Sequence, residues 1–409
     1  MTVLTRLTPR RRNLGAEFAK LWYAGLVNNL GGGVWSTLLP LLGTALTRDP
    51  LSITFIAAAT YLPWLLLSLP AGVLVDRTDP VKLMWRTQLM QSLVVALVAV
   101  GLMTGSTSIG LLCAAGFLLG VGDTLVGTAT QVVLPAIVPV DHLIPANARQ
   151  QVGQTASRSL LGPVVGGLLH GASAAGAVLV NAVSFLVSAT ILTRLGTRPA
   201  RATGPVTRRP VVEDVAEGLR WLHRHRLLRA LAAVLAVNCF CTQFAQALLV
   251  LLVTDAHGLS PEHYGLFLAA TVSGGMLASL ANPWLIRRLG SVWAIMLSLV
   301  LSAGAFIGVG WAPGIPALSV LLAVNAFATL LWNVCTVALR QRIVPSAVQG
   351  RITSTFAMLG WGLLPVGAVV GGLVAGDFGV GSVYPIAGVL RLLALIAVLP
   401  VLIAHRRVR

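Results

Sequence analysis

Residues 58–69 read AATYLPWLLLSL, and residues 269–280 read AATVSGGMLASL, an offset of 211. The echo recurs elsewhere. GPVVGGLL at 162–169 returns as GAVVGGLV at 367–374, and Ile137–Pro139 (IVP) returns as Ile343–Pro345. Spacings near half of a 409-residue chain mark two copies of one unit. Nearly every segment of that unit is apolar, so the copies read as two bundles of membrane helices. Their interface is where such proteins place a substrate site.

Composition supports the same reading. Apolar residues make up 56% of the chain and charged residues 10%, against about 25% charge in soluble proteins. Turn and charge punctuation divides the chain into twelve apolar segments, near 17–42, 51–75, 83–104, 108–133, 146–169 and 175–195, then 228–254, 262–286, 291–311, 316–340, 351–375 and 381–404. Most are about as long as a helix needs to cross a hydrocarbon core of about 30 Å. The expected fold is therefore an all-α membrane protein with twelve transmembrane helices in two pseudo-symmetric six-helix bundles. Residues 1–195 would form the first bundle and 228–409 the second. Residues 196–227 would form a cytoplasmic linker, Pro- and Arg-rich at first and then an amphipathic helix at the membrane surface.

A net charge of +17 would suggest nucleic acid in a soluble chain. Here Lys and Arg fall almost wholly on one side of the predicted segments, with only Arg48 in an outer loop. That is the positive-inside pattern, so no nucleic-acid partner is expected and both termini belong in the cytoplasm of a bacterial plasma membrane. The partners are then the lipid bilayer and a small-molecule substrate, with the chain acting as a monomer. Phe18–Leu42 is far longer than the 7–15-residue core of a signal peptide, so it reads as a retained first helix. Cys113, Cys239, Cys241 and Cys335 all fall inside segments with no metal-ligand spacing, so no metal site is expected. The outer loop Asp255–His263 (DAHGLSPEH) reads as solvated. No GxxxxGK[ST] phosphate loop occurs, which argues against direct ATP coupling; no cofactor is expected, and a proton gradient is the natural energy source.

Leu69–Leu83 (LPAGVLVDRTDPVKL) lies between the second and third segments. It resembles the signature of the major facilitator superfamily: a glycine, two spacers, a small residue, Asp-Arg and a basic turn. GLSPEHYG at 258–265, VPVDHLIPAN at 138–147 and QRIVPSAVQGR at 341–351 are most similar to the bacterial exporter branch that includes enterobactin and macrolide exporters. The resemblance implies a transporter rather than an enzyme, and a conformational latch built from Gly72, Asp76, Arg77 and Lys82. In that latch Gly72 allows close helix approach, and Asp76 meets the positive end of the eleventh helix near Gly350–Thr353. Asp79 and Pro80 depart from the pattern, and the second copy has Arg287 in place of Asp76. GPVVGG at 162–167 matches the second part of the family's antiporter motif. There Pro163 would bend the fifth helix while Gly162, Gly166 and Gly167 pack closely on a neighbour.

Two charges lie deep in predicted spans. Asp123 in the fourth segment and Arg158 in the fifth both fall roughly 15–18 Å from the cytoplasmic face. The two segments are antiparallel neighbours, so these side chains can pair, which offsets the cost of about 2.5–3.5 kcal/mol or more for an isolated charge in lipid. A role in proton coupling or substrate contact and a purely structural ion pair both remain open. Arg391 lies near the middle of the twelfth segment, which the family places at the periphery; snorkelling to lipid and a functional role both fit it. Asn28, Asn29, Gln131, Gln154, Asn238, Gln243, Gln246, Asn325, Trp332, Asn333 and Trp361 fall on segments that line the family's central cavity. Amides and tryptophans with few charges suit a bulky amphipathic substrate. The expected function is proton-coupled export of a hydrophobic small molecule (drug, siderophore or natural product) by an antiporter. Uptake by symport and a non-transporting sensor or assembly factor are the alternatives.

Overall fold

The computed structural model describes residues 14–196, 220–344 and 358–405, with 352, 355 and 356, except the side chains of Ser68, Leu69, Asp76 and Val140. The first half comprises α1 (Ala16–Leu46), α2 (Pro50–Arg77), α3 (Pro80–Thr104), α4 (Ile109–Ile137), α5 (Leu143–Gln154), α6 (Gly162–Ala172) and α7 (Ala174–Thr193). A π-helical turn, Thr155–Leu161, joins α5 to α6, so the fifth predicted segment is one broken span. The second half comprises α8 (Arg226–Gln246), α9 (Pro261–Leu289), α10 (Ser291–Val309), α11 (Ile315–Ile343), α12 (Leu364–Phe378) and α13 (Val380–Ala404). After α8 the chain continues through a short helical turn and the π-helical Leu252–Ala256.

Ten helices among the described residues are long and apolar enough to cross a membrane. The broken fifth span is not among them, because its pieces are short. Nor is α1, which is 31 residues long but carries Asn28, Asn29 and three successive glycines. Among the described residues these ten, with α1 and the divided fifth span, are consistent with the twelve predicted segments.

The two halves repeat one packing scheme. In the first, α4 packs on α2, α3 on α7 and α1 on α6; in the second, α11 packs on α9, α10 on α13 and α8 on α12. Helix starts are set locally. Asp49 caps α2 through Ser52 N at 2.8 Å, with Pro50 in the first turn; the Ser52 hydroxyl, also bonded to it, holds the Asp49 carboxyl below the usual carboxylate range. Asp79 caps α3 through Val81 N and Lys82 N, again followed by a proline. The departure from the superfamily signature at 79–80 is thus a helix start: the carboxylate satisfies amides that the first turn leaves free.

One face of the molecule carries Lys20, Arg77, Lys82, Arg149, Arg194, Arg287, Arg288, Arg340 and Arg342 at helix ends; we call it the basic face. On the opposite, far face the halves are joined. Arg48, between α1 and α2, reaches Asp255 of the second half at 2.5 Å. Against α9, a Cβ on Gly167 of α6 would lie 2.9 Å from both Glu262 O and Gly265 N. Between α2 and α12, a Cβ on Gly372 would lie 3.1 Å from Leu51 Cα. Leu41 and Ile53 join a core otherwise formed by the second half. The conformation is closed at the far face.

Gly31, Gly32 and Gly33 let α1 receive two neighbours, α7 and the broken fifth span. Beside Gly31 stand Asn181 and Ser184 of α7; beside Gly32 lies the guanidinium of Arg158, whose Nη1 would be 3.2 Å from a Cβ. Gly33 faces backbone: a Cβ there would lie 2.9 Å from Gly162 Cα. Among the described residues nothing lies within 4 Å of where a Gly72 Cβ would be, and the segment expected to approach it, near 350–353, lies largely outside them. Replacing Gly33 with Ala should therefore lower stability by about 1–3 kcal/mol through backbone overlap. Gly72→Ala should be neutral or stabilising by up to about 1 kcal/mol from helix propensity. Thermal unfolding of the two purified variants in detergent checks the contrast.

Candidate functional site

A cavity of about 400 Å³ lies at the seam between the halves. That size falls in the range of small-molecule sites. Its first-half wall comes from α1 (Gly32, Trp35, Ser36, Leu39), α2 (Ile53, Ile56, Thr60, Tyr61, Trp64) and α4 (Leu119, Gly120, Asp123), with Arg158 and Ser159 of the π-helical turn. Its second-half wall comes from Gln243, Gln246 and Ala247 at the end of α8 and from Tyr264, Leu268, Thr271 and Val272 of α9. The lining is aromatic and aliphatic, with scattered amides and hydroxyls and a single ion pair.

That pair is Asp123 with Arg158, whose Nη2 lies 2.7 Å from Asp123 Oδ2. The side chains are 19% and 39% exposed, so both remain open to the cavity. Local structure explains the placement. Pro163 lacks an N–H, and the chain upstream widens into the π-helical turn, in which Gly162 N bonds Ser157 O. This turn directs Arg158 toward α4, and Gly32 leaves room for the guanidinium. Asp123 has a second partner that the sequence did not reveal: Gln91 of α3, fully buried, donates Nε2 to Oδ1 at 3.2 Å.

The GPVVGG motif divides between two neighbours. Gly162 and Gly166 face α1, where a Cβ on Gly166 would lie 3.0 Å from Val34 O, while Gly167 faces α9 of the other half. Pro163 O also abuts Gly265. One motif therefore holds the first bundle together and closes the far face.

Of the polar residues singled out from sequence, Gln243 and Gln246 line the cavity, and Trp361 packs at a tilt against the lining residue Trp64 with ring centroids 4.5 Å apart, across the two halves. Asn29 is bonded to Gly25 O within its own helix, and Asn28 is buried. Gln131, Gln154 and Asn333 are exposed outside the lining. Trp332 is buried in the apolar core of the second half rather than on the cavity. Asn325 belongs to a separate network. Its Oδ1 accepts from Arg391 Nη1 at 2.9 Å and from Ser302, and Arg391 also bonds Ser302 and, at 2.7 Å, Thr242. Arg391 is 3% exposed and lies 3.8 Å from the ring centroid of Phe306. The lipid-snorkelling reading is corrected: the side chain points into the second bundle, where neutral acceptors and an aromatic face surround its charge. Arg77 and Lys82 flank the α2–α3 turn, but the Asp76 side chain and residues 345–351, 353 and 354 lie outside the described residues, and the latch contact with them.

Tyr61, Trp64, Trp35 and Tyr264 were not among the residues expected at the site. The signal was present in YLPW at 61–64 and in GLSPEHYG at 258–265.

Two six-helix halves, a seam cavity and a membrane-embedded ion pair define a membrane transporter of the major facilitator type. A family model described as "transmembrane secretion effector" matches residues 5–407, and the chain belongs to that family. It is 26% identical over 379 residues to the multidrug efflux pump Tap of Mycolicibacterium fortuitum, covering 88% of this chain and 90% of that protein. To macrolide efflux protein A of Streptococcus pyogenes it is 22% identical, covering 92% and 94%. Its fold is similar to that of a bacterial homologue of the human lysosomal transporter Spinster in an inward-facing, occupied conformation, with a TM-score of 0.75 and 11% identity over 93% and 94% of the chains. The chain is thus a multi-pass membrane transporter, not an enzyme.

Removing one member of the ion pair strands the other. Arg158→Gln should lower stability by up to about 3 kcal/mol, less than for a fully dry pair because the cavity admits solvent. The double variant Asp123→Asn with Arg158→Gln should recover most of that loss. Thermal unfolding in detergent measures both.

Proposed function

We propose that this transporter exports a hydrophobic or amphipathic small molecule in exchange for protons, by alternating access. The basic face is assigned to the cytoplasm by the positive-inside rule. The observation that carries the reading is the Asp123–Arg158 pair, which borders a largely apolar cavity shared by both halves. The pair is not sealed inside the bundle but stays in reach of substrate and solvent, as a group that exchanges protons requires. The relatives named as efflux pumps favour the outward direction.

In the far-closed state Asp123 is ionised and held by Arg158, the condition expected after a proton has left toward the cytoplasm. A substrate entering from that side fills the aromatic cavity. Opening at the far face then releases the substrate, and a proton from outside neutralises Asp123 and loosens its hold on Arg158. The energetic requirement is that proton and substrate favour different states, since a ligand shifts a two-state equilibrium only by its difference in affinity.

The direct test needs no natural substrate. Cells producing the protein should accumulate less of a bulky apolar dye than control cells, and a protonophore should abolish the difference. Asp123→Asn should remove the effect while leaving the protein in the membrane. Full activity of Asp123→Asn would exclude it as the proton carrier, and greater accumulation would mean uptake.

Alternating access has its own test at the two gates. Gly167→Leu places a side chain where only backbone fits, so it should prevent far-face closure and make the cavity accessible from outside. Asp76→Asn should weaken the proposed cytoplasmic latch and shift the population the opposite way. Labelling of a single cysteine at Thr271, in a background lacking the native cysteines, reports both. Unchanged labelling of Asp76→Asn would rule out the latch.

A further inference from the structure

Asp123 is gripped from two directions, and only one of them is the cavity. Arg158 takes Oδ2 from the cavity side, while Gln91 of α3 takes Oδ1 from inside the first bundle. The Gln91 Nε2 group also reaches Leu119 O at 3.3 Å. Its Oε1 is buried without any hydrogen-bond partner. The site is built to hold this amide: a Cβ on Gly122 would lie 2.5 Å from Gln91 Cδ and Nε2, so only glycine at 122 leaves the space. A fully buried amide with one satisfied and one orphaned end costs free energy that Leu or Met at the same place would avoid.

We infer that Gln91 is the positioning residue for proton binding at Asp123, turning its amide when the carboxylate becomes an acid. An ionised carboxylate only accepts hydrogen bonds, so it requires Nε2–H. When a proton arrives from cavity water, the carboxylate becomes a carboxylic acid with an O–H to donate, and Nε2–H can no longer serve that oxygen. A half-turn about the Cγ–Cδ bond presents the orphaned Oε1, which accepts the O–H on Oδ1. The half-turn gives up the Nε2–H bond to Leu119 O together with the one to Oδ1, no covalent bond other than the new O–H is made, and the proton stays on Asp123 until it returns to cavity water. Arg158 keeps its charge throughout, so protonation takes the pair from neutral to net positive. Among the described residues, the ionisable groups facing Asp123 are Arg158 from the π-helical turn and Tyr61 from α2; α1 presents Gly32 and α3 presents Gln91. The neutral amide is thus the group on the dry side that can answer either protonation state.

This inference rests on the reading of Asp123 as proton carrier, and infrared difference spectroscopy separates the two. The purified full-length chain is reconstituted in lipid and acidified stepwise. A carboxylic-acid carbonyl band should grow in, and it should be missing from Asp123→Asn, which assigns it. An amide band missing from Gln91→Met should change along the same titration curve. In Gln91→Met, which keeps length and helix propensity, the acid band should shift to higher frequency because its O–H has lost its acceptor. Gly122→Ala, which keeps Gln91 but displaces its amide, should shift the band the same way. Unfolding temperatures identify any variant that has lost its fold, and the two variants fail independently. If the acid band forms but sits at the wild-type position in both, Gln91 does not touch the acid; this inference is overturned while the coupling reading stands. If no band is lost in Asp123→Asn, Asp123 does not titrate, and both fail.

Discussion

Hydrocarbon gives apolar helices no reason to leave lipid for one another, so association must come from packing and from backbone that approaches backbone. Glycine is the residue that allows it, and the helix contacts of this protein centre there. Gly33 meets Gly162 inside the first bundle, and Gly167 meets Gly265 between the halves. Two of these four belong to one short motif on a broken span, so the piece that stabilises a bundle also closes the molecule. The coupling of fold to gate is steric: a side chain at 167 is admitted only if the halves part.

The same breaks create the polar site. A regular helix through residues 155–161 would carry Arg158 at a different angle; the π-helical turn ahead of Pro163 aims it at Asp123. Gly32 and Gly122 then make room on either side, one for the guanidinium and the other for Gln91. Two glycines far apart in sequence thus shape one carboxylate's surroundings.

The halves repeat in packing but not in charge. The first holds an acid–base pair bordering the cavity. The second holds Arg391, sealed among Ser302, Asn325, Thr242 and the Phe306 ring. Neutral dipoles replace a counter-charge there, and they tie α13 to α8, α10 and α11. In the proposed cycle the first bundle carries the group that changes protonation state, while the second is fastened around a fixed charge.

The sequence by itself determined the helical membrane fold, the repeat, the basic face and the depth of Asp123 and Arg158. Each follows from local chemistry: hydropathy sets spans, charge sets sides, and a rise of about 1.5 Å per residue sets depth. The α2–α3 turn was located but not understood: Asp79 and Pro80 stood out only as departures from the signature, and the structure shows that they start α3. The direction in which a side chain points was not readable. Arg391 sits on a helix whose family position suggested lipid, yet it turns inward; Trp332 looked like a cavity residue and is core. Tyr61 and Trp64 stand in the stretch whose repeat revealed the fold, yet hydropathy counted them only as membrane residues. Gln91 and Gly122 lie on different helices, and their meeting beside Asp123 depends on how α3 and α4 are rotated against each other. Rotation is settled by long-range packing, so only the tertiary structure decided which polar groups share the site.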